Sequence, residues 1–195
     1  MGSFILRNYL MRYGGGIDGA VIMGTGMHSK RLIIFAWALA TLLSAVAGPR
    51  HVCRRLDRML FSAYNRGLTA GPADSGSWIS LDPENAKRHK EDPLCDFIFT
   101  ANGFQTLMKL IWNLYETEKL RQMPKDLPIF FVSGQEDPVG ERGKAVERVF
   151  HSFEELGMEQ VQMKLYPGDR HEILNAADRE SVYGDIYRFI LQKVT

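Results

Sequence analysis

Two short stretches of this sequence carry residues suited to moving a proton. The first, SGQEDPVG, holds Asp137, and the second, YPGDRHEILNA, holds His171. Each follows a short apolar run. Each therefore reads as a loop beyond the carboxyl end of a strand, where open α/β sheets collect their active residues. A carboxylate on one strand end can accept a hydrogen bond from an imidazole on the next. That bond holds the ring in one tautomer and leaves the other ring nitrogen as a general base. The turn is expected to expose Asp137. Alone, an Asp before Pro is a turn former and a loop His is a solvated side chain; their order on consecutive strand ends gives them a shared role.

A base of this kind serves a nucleophile. Ser3 lies inside a helical stretch with no Gly-x-Ser-x-Gly around it, and Ser133 reads as a strand end, so neither is assigned. Cys53 and Cys95 stand outside any CxxC or His-rich setting and read as free thiols, and the sequence calls for no metal and no cofactor.

The elements that must position these loops follow from periodicity. Phe4, Ile5, Tyr9 and Leu10 recur near helical spacing, and Gly14 to Gly16 stop the run. Ile17 to Met23 reads as a strand buried on both faces, closed by Gly24-Thr25-Gly26. From Met27 to about Met123 the chain is helical, broken by the loop GPADSGSW; Asp82-Pro83 is a helix start. Phe104, Leu107, Met108, Ile111, Leu114 and Tyr115 trace one helix face. A strand–helix rhythm then resumes. LPIFFVSG is a buried strand, and Ala145, Val146, Val149, Phe150, Phe153 and Leu156 mark a helix that Gly157 stops. VQMKLYPG alternates and suits the sheet edge. The last helix, from about Arg179 to Lys193, buries Val182, Ile186, Phe189 and Ile190. This order predicts an α/β fold with a parallel sheet of about three strands, flanking helices and a helical cap insertion. The expected units are 1–28 and 124–195 for the core and 29–123 for the cap.

Composition is that of a folded domain: 195 residues, 45% hydrophobic, 24% charged. The net charge of +1 gives no field for nucleic acid. The run from Leu32 to Gly48 is uncharged, with Lys30-Arg31 before it and Arg50 after it. It only reaches the lower limit of a membrane-spanning length, about 17 residues, and reads as a buried helix or an apolar lid touching lipid. Arg50 to Arg58, RHVCRRLDR, concentrates positive charge that can meet lipid phosphate. No secretory pattern opens the chain, and Leu6 occupies the position where a myristoylation signal needs Ser or Thr. The expected place is the cytoplasm, peripheral to membrane.

With these residues in view, the chain resembles the carboxyl-terminal part of an α/β-hydrolase of the serine aminopeptidase/monoacylglycerol lipase type, often labelled lysophospholipase. In that family SGxxDPVG carries a triad Asp and LYPGxRHEILNE a triad His, matching Asp137 and His171 here. EDPLCDFIFTANGF and MPKDLPIFFVSG echo its cap and strand segments; Ala176 departs from the family's usual acid. The resemblance implies hydrolysis of monoacylglycerol- or lysophospholipid-like esters through an acyl-enzyme. It also implies a nucleophile in a Gly-His-Ser-Met-Gly elbow. MGSFILRNYL matches the second half of that elbow and its helix, so Met1 follows the nucleophile and its backbone nitrogen is an oxyanion donor. The Ser and the strands before it are then absent from this chain, which alone is expected to be inactive. An inactive paralogue and a membrane-associated binding module are the alternatives. The cap implies an acyl channel lined by Leu32 to Ala47, Phe97, Phe99 and Phe104.

Overall fold

A computed structural model of the chain describes residues 1–66, 68, 76–95 and 97–194. Among them, β1 (Ala20–Met23), β2 (Ile129–Gly134) and β3 (Val161–Tyr166) form a parallel sheet in that order. The apolar run of β2 is buried at all six positions, as a central parallel strand requires. β3 alternates between half-buried and exposed positions until Tyr166, and among the described residues pairs with β2 alone.

β1 is shorter than the sequence suggests. Ile17 to Gly19 lead into it from a 3-10 turn at Gly14–Gly16. It is also not buried on both faces: Ala20 and Ile22 are buried, Val21 and Met23 only partly. Those two pack against a layer built on Val182 and Phe189, which covers them incompletely. Its edge away from β2 is unpaired among the described residues.

Between β1 and β2 lie α2 (Lys30–Ala47), α3 (Arg54–Phe61), α4 (Pro83–Glu91), α5 (Ala101–Asn113) and α6 (Thr117–Arg121). The Asp82 carboxylate caps α4 by accepting from Glu84 N at 2.9 Å, with Pro83 in the first turn. Residues Gly71 to Ser75 of the loop GPADSGSW lie outside the described residues. α2 packs on α5 through Ile33, Ala36 and Ala40, but its other side is bare, so only half of it is the buried helix expected.

α1 (Gly2–Tyr13) and α7 (Lys144–Glu155) cover one sheet face and α8 (Arg179–Val194) the other. Phe131 points to the first face and meets Phe153 edge-on at 5.2 Å; Phe130 points to the second, against Phe189. Two apolar readings fail here. Phe4 and Leu10 of α1 are buried as expected, but Ile5 and Tyr9 are exposed, and Arg7 and Asn8 are buried in their place. Asn8 Nδ2 donates to Phe4 O and to Leu110 O, and Arg7 Nη1 to Gly26 O. Ile190 of α8 is 46% exposed, because α8 presents Val182 and Phe189 to the sheet and Ile190 falls beside that stripe.

Candidate active site

β2 ends at Gly134, and the chain turns at once, with Asp137 N donating to Gly134 O at 3.2 Å. The Asp137 carboxylate closes the turn locally: Oδ1 accepts from Val139 N at 2.9 Å. Oδ2 is then left for His171 Nδ1, at 2.8 Å. Ser133 Oγ approaches the same oxygen at 3.5 Å. Contrary to the expectation of a solvent-facing turn residue, Asp137 is fully buried. Burial is tolerable because each carboxylate oxygen has a partner, Val139 N on Oδ1 and His171 Nδ1 on Oδ2, and an unpaired carboxylate there would be costly.

His171 comes from the loop after β3. That loop is stitched to the Asp137 loop by backbone: Gln135 N donates to Tyr166 O and Glu136 N to Asp169 O, each at 2.8 Å. With Nδ1–H committed to the carboxylate, Nε2 is the nitrogen left to work. The His171 side chain keeps 23% of its surface exposed, and it lines a cavity of about 420 Å³, a size that suits a small organic ligand.

Three neighbours set the ring and were not found from sequence. The first is Trp78, whose ring centroid lies 5.1 Å from that of His171. The segment around it is clasped on both sides, by Arg170 Nη1 donating to Ser77 O at 2.7 Å and Glu172 N donating to Ile79 O at 2.9 Å. A lone Trp in a stretch of small residues was the available signal. The second is Glu172, whose Oε2 accepts from Asn85 of α4 and from Asn175, both at 3.0 Å. It ties the histidine loop to the helical insert.

The third is Gly24, with φ of 55°, a left-handed value that glycine adopts without strain. A Cβ there would sit 2.9 Å from His171 Cε1 and 3.1 Å from Nδ1. Gly24→Ala is expected to push the imidazole off Asp137. The downfield Nδ1–H resonance in proton NMR should vanish or move; an unchanged resonance would show that the ring has room. The loop holding Gly24 is fixed from α1, where Arg7 Nη1 donates to Gly26 O at 3.1 Å and Thr25 Oγ1 at 3.3 Å. Burial lowers the Arg7 guanidinium to about 10, which still leaves it charged at neutral pH.

Asp169, two residues before His171, is pushed up to about 7, first by burial and then by the charge and hydrogen bond of Asp178. The folded state therefore holds a proton that the unfolded chain releases near the ordinary carboxylate value. Stability from this group is present at low pH and is lost as pH rises from about 4 through 7. Asp169→Asn is expected to abolish that part of the decline. Thermal unfolding of parent and variant from pH 5 to 8 should converge at low pH and diverge at high pH; parallel curves would refute it.

The cavity walls come mostly from the helical insert, including Leu32 and Ile33 of α2, Phe97 and Phe99. Phe104 is not among them. It is fully buried with Ala40, Cys53 and Leu56, because it sits on the face of α5 turned to α2 and α3. Tyr64, also on the wall, has its phenol held up to about 12, chiefly by burial and then by the charges of Asp137 and Glu141, so it remains a donor. Met1 lines the same cavity as His171. Burial lowers its amine, against the opposing pull of Asp137. Ser133 is fully buried at the end of β2 and Ser3 is buried on α1, and neither reaches the cavity wall. Cys53 and Cys95 are free thiols.

A family model described as serine aminopeptidase, S33 matches residues 1–178. The fold is similar to a thermostable carboxyl esterase from Bacillus coagulans (26% identity, TM-score 0.82), covering 99% of this chain and 62% of that one. It is also similar to a soluble variant of monoglyceride lipase from Saccharomyces cerevisiae (19%, 0.69), covering 98% and 62%. A monoacylglycerol lipase from Paleococcus ferrophilus gives 16% and 0.66, covering 98% and 65%. The chain thus spans less than two thirds of the length of these structures.

Proposed function

Because the chain belongs to the serine aminopeptidase S33 family, we propose that it forms the part of a serine hydrolase that supplies the general base, the base's orienting carboxylate and the substrate pocket. The observation that carries this reading is one contact: a fully buried Asp137 holding His171 Nδ1 at 2.8 Å, with the ring opening on an apolar cavity.

The chemistry follows from that contact. His171 Nε2 takes the proton of a serine hydroxyl as its oxygen attacks an ester carbonyl carbon. Asp137 stabilises the imidazolium that results. The carbonyl oxygen becomes an oxyanion, and Met1 N is its donor when a residue precedes Met1 and makes that nitrogen a peptide N–H. The tetrahedral carbon collapses, the alcohol leaves with the proton from His171, and an acyl-serine remains. Water, deprotonated by the same nitrogen, releases the acid and restores the serine. The serine is proposed to lie immediately before Met1, since neither Ser3 nor Ser133 reaches the cavity. The chain alone is then expected to be silent.

The apolar wall of Leu32, Ile33, Phe97 and Phe99 favours an ester with an acyl chain, of the monoacylglycerol or lysophospholipid class. The unit from 29 to 123 acts as the cap that shapes this pocket, between core units 1–28 and 124–195. The test is to read the coding sequence ahead of the Met1 codon and express it joined to this chain. Gly-x-Ser in frame and hydrolysis of p-nitrophenyl butyrate support the proposal. A stop codon there, or an inert full product, leaves a chain without the chemistry its Asp and His would serve.

A further inference from the structure

One polar side chain stands on the apolar part of the cavity wall. His28 lies between Gly26, which Arg7 holds, and Ser29, the cap of α2, whose Oγ accepts from Leu32 N at 3.3 Å. The Tyr115 hydroxyl donates to the His28 carbonyl and fixes the backbone there. The His28 ring meets Phe4 edge-on, with centroids 5.9 Å apart, and lines the cavity with Phe4, Leu32, Ile33, Met108 and Ile111. Neither ring nitrogen has a hydrogen-bond partner among the described residues, and neither is fully enclosed. An imidazole left so in an apolar wall is under-satisfied until a ligand bonds it. Burial lowers it from its ordinary value, with Glu141 pulling against this and Arg7 adding to it, so the ring is neutral at pH 7. It then offers one N–H and one lone pair. A hydroxyl group, which both donates and accepts, matches the two.

Position tells which part of a ligand His28 meets. In the proposed reaction the ester carbonyl lies between His171 Nε2 and Met1 N. The alcohol faces His171, which returns the proton to it. Trp78 and Tyr64 stand on that side, with ring centroids 5.1 Å from His171 to Trp78 and 5.4 Å from Trp78 to Tyr64. Phe4 N donates to Met1 O at 2.9 Å, so Phe4 and the His28 ring against it lie about 5 Å farther along α1. The acyl chain runs that way. Among the described residues no Lys or Arg lines the cavity, so nothing on its wall would neutralise an anionic group. We propose that His28 is a specificity residue: it hydrogen-bonds a hydroxyl carried by the acyl chain a few bonds from the ester carbonyl, and the cavity thereby selects hydroxyacyl esters over plain ones. This deepens the ester-hydrolase reading, on which it rests for the direction of the acyl chain.

The test is binding of three neutral esters to this chain without turnover, read from tryptophan emission, since Trp78 lines the cavity. The esters are methyl octanoate, methyl 3-hydroxyoctanoate and 2-hydroxyethyl octanoate. The 3-hydroxy ester is expected to bind about fivefold more tightly than methyl octanoate. His28→Leu should erase that preference, and His28→Gln, whose amide also donates and accepts, should keep most of it, with circular dichroism unchanged in both. Equal binding of the first two esters by the parent, a preference that survives in His28→Leu or vanishes in a folded His28→Gln, or no binding of any ester would overturn the proposal. So would a gain for 2-hydroxyethyl octanoate that His28→Leu removes, which would put His28 against the alcohol. Hydrolysis of p-nitrophenyl butyrate by the joined protein bears on the ester-hydrolase reading alone, so the two fail separately.

Discussion

His171→Ala, made in the chain joined to its preceding coding sequence, is expected to lower ester hydrolysis by about 10⁴-fold. The size follows from what the ring does. In the proposed reaction Nε2 handles the proton in both halves, and among the described residues no other side chain on the cavity wall is placed by a buried carboxylate to replace it. Asp137→Asn should cost nearly as much by a different route. The amide keeps the volume but offers Nδ1 a donor as readily as an acceptor, so the ring loses its fixed tautomer. Binding of substrate, which depends on the apolar wall, should survive both changes, so the loss belongs in kcat rather than KM. A His171→Ala protein that keeps its rate within tenfold would remove the dyad from the mechanism.

Gly134→Ala is expected to be the most damaging added methyl among the described glycines. The position closes β2, and its Cα faces the backbone carbonyls of Asp169 and Arg170 with no room between. A Cβ there would overlap both oxygens, and neither can retreat as a flexible side chain would. The loop carrying His171 must move, or the strand must. Overpacking against rigid backbone costs on the order of 3 kcal/mol, which for a chain of this length is roughly 6–12 °C in Tm. Gly15→Ala is the matched control: a Cβ there meets nothing within 4 Å and the backbone is unstrained. Thermal unfolding of the two variants beside the parent decides the matter, and a Gly134→Ala Tm within a degree of the control would contradict it.

Sequence made the sheet legible because its signals are local. The apolar, aromatic-rich run around Phe130-Phe131-Val132, short and closed by a turn, reads as a buried strand, and Gly157, with φ of 79°, follows α7 where a helix stops. Asp137 and His171 were legible for the same reason, each standing just past such a strand. What was hidden depended on contacts between distant segments. Periodicity put Ile5 and Tyr9 inside because it weighs apolarity alone; it could not see that Arg7 and Asn8 would find carbonyls at Gly26 and Leu110. The burial of Asp137 was hidden too, since it depends on a partner 34 residues away. Trp78 matters only because the loop after β3 brings His171 against it, and Glu172 only because Asn85 of the distant α4 meets it. Gly24 matters only because an imidazole occupies the space a side chain would need.

β2 and β3 pair without offset from Ile129 opposite Val161 to Gly134 opposite Tyr166, so both loops leave the sheet from the same rung. A strand ladder admits only whole steps, of about 3.3 Å, and an odd step turns every side chain to the opposite face. The ladder therefore sets the coarse separation of carboxylate and imidazole in whole rungs, and the loops set the rest. A register error between β2 and β3 would part the two loops by a full rung, a distance that no side-chain rotation across one hydrogen bond restores.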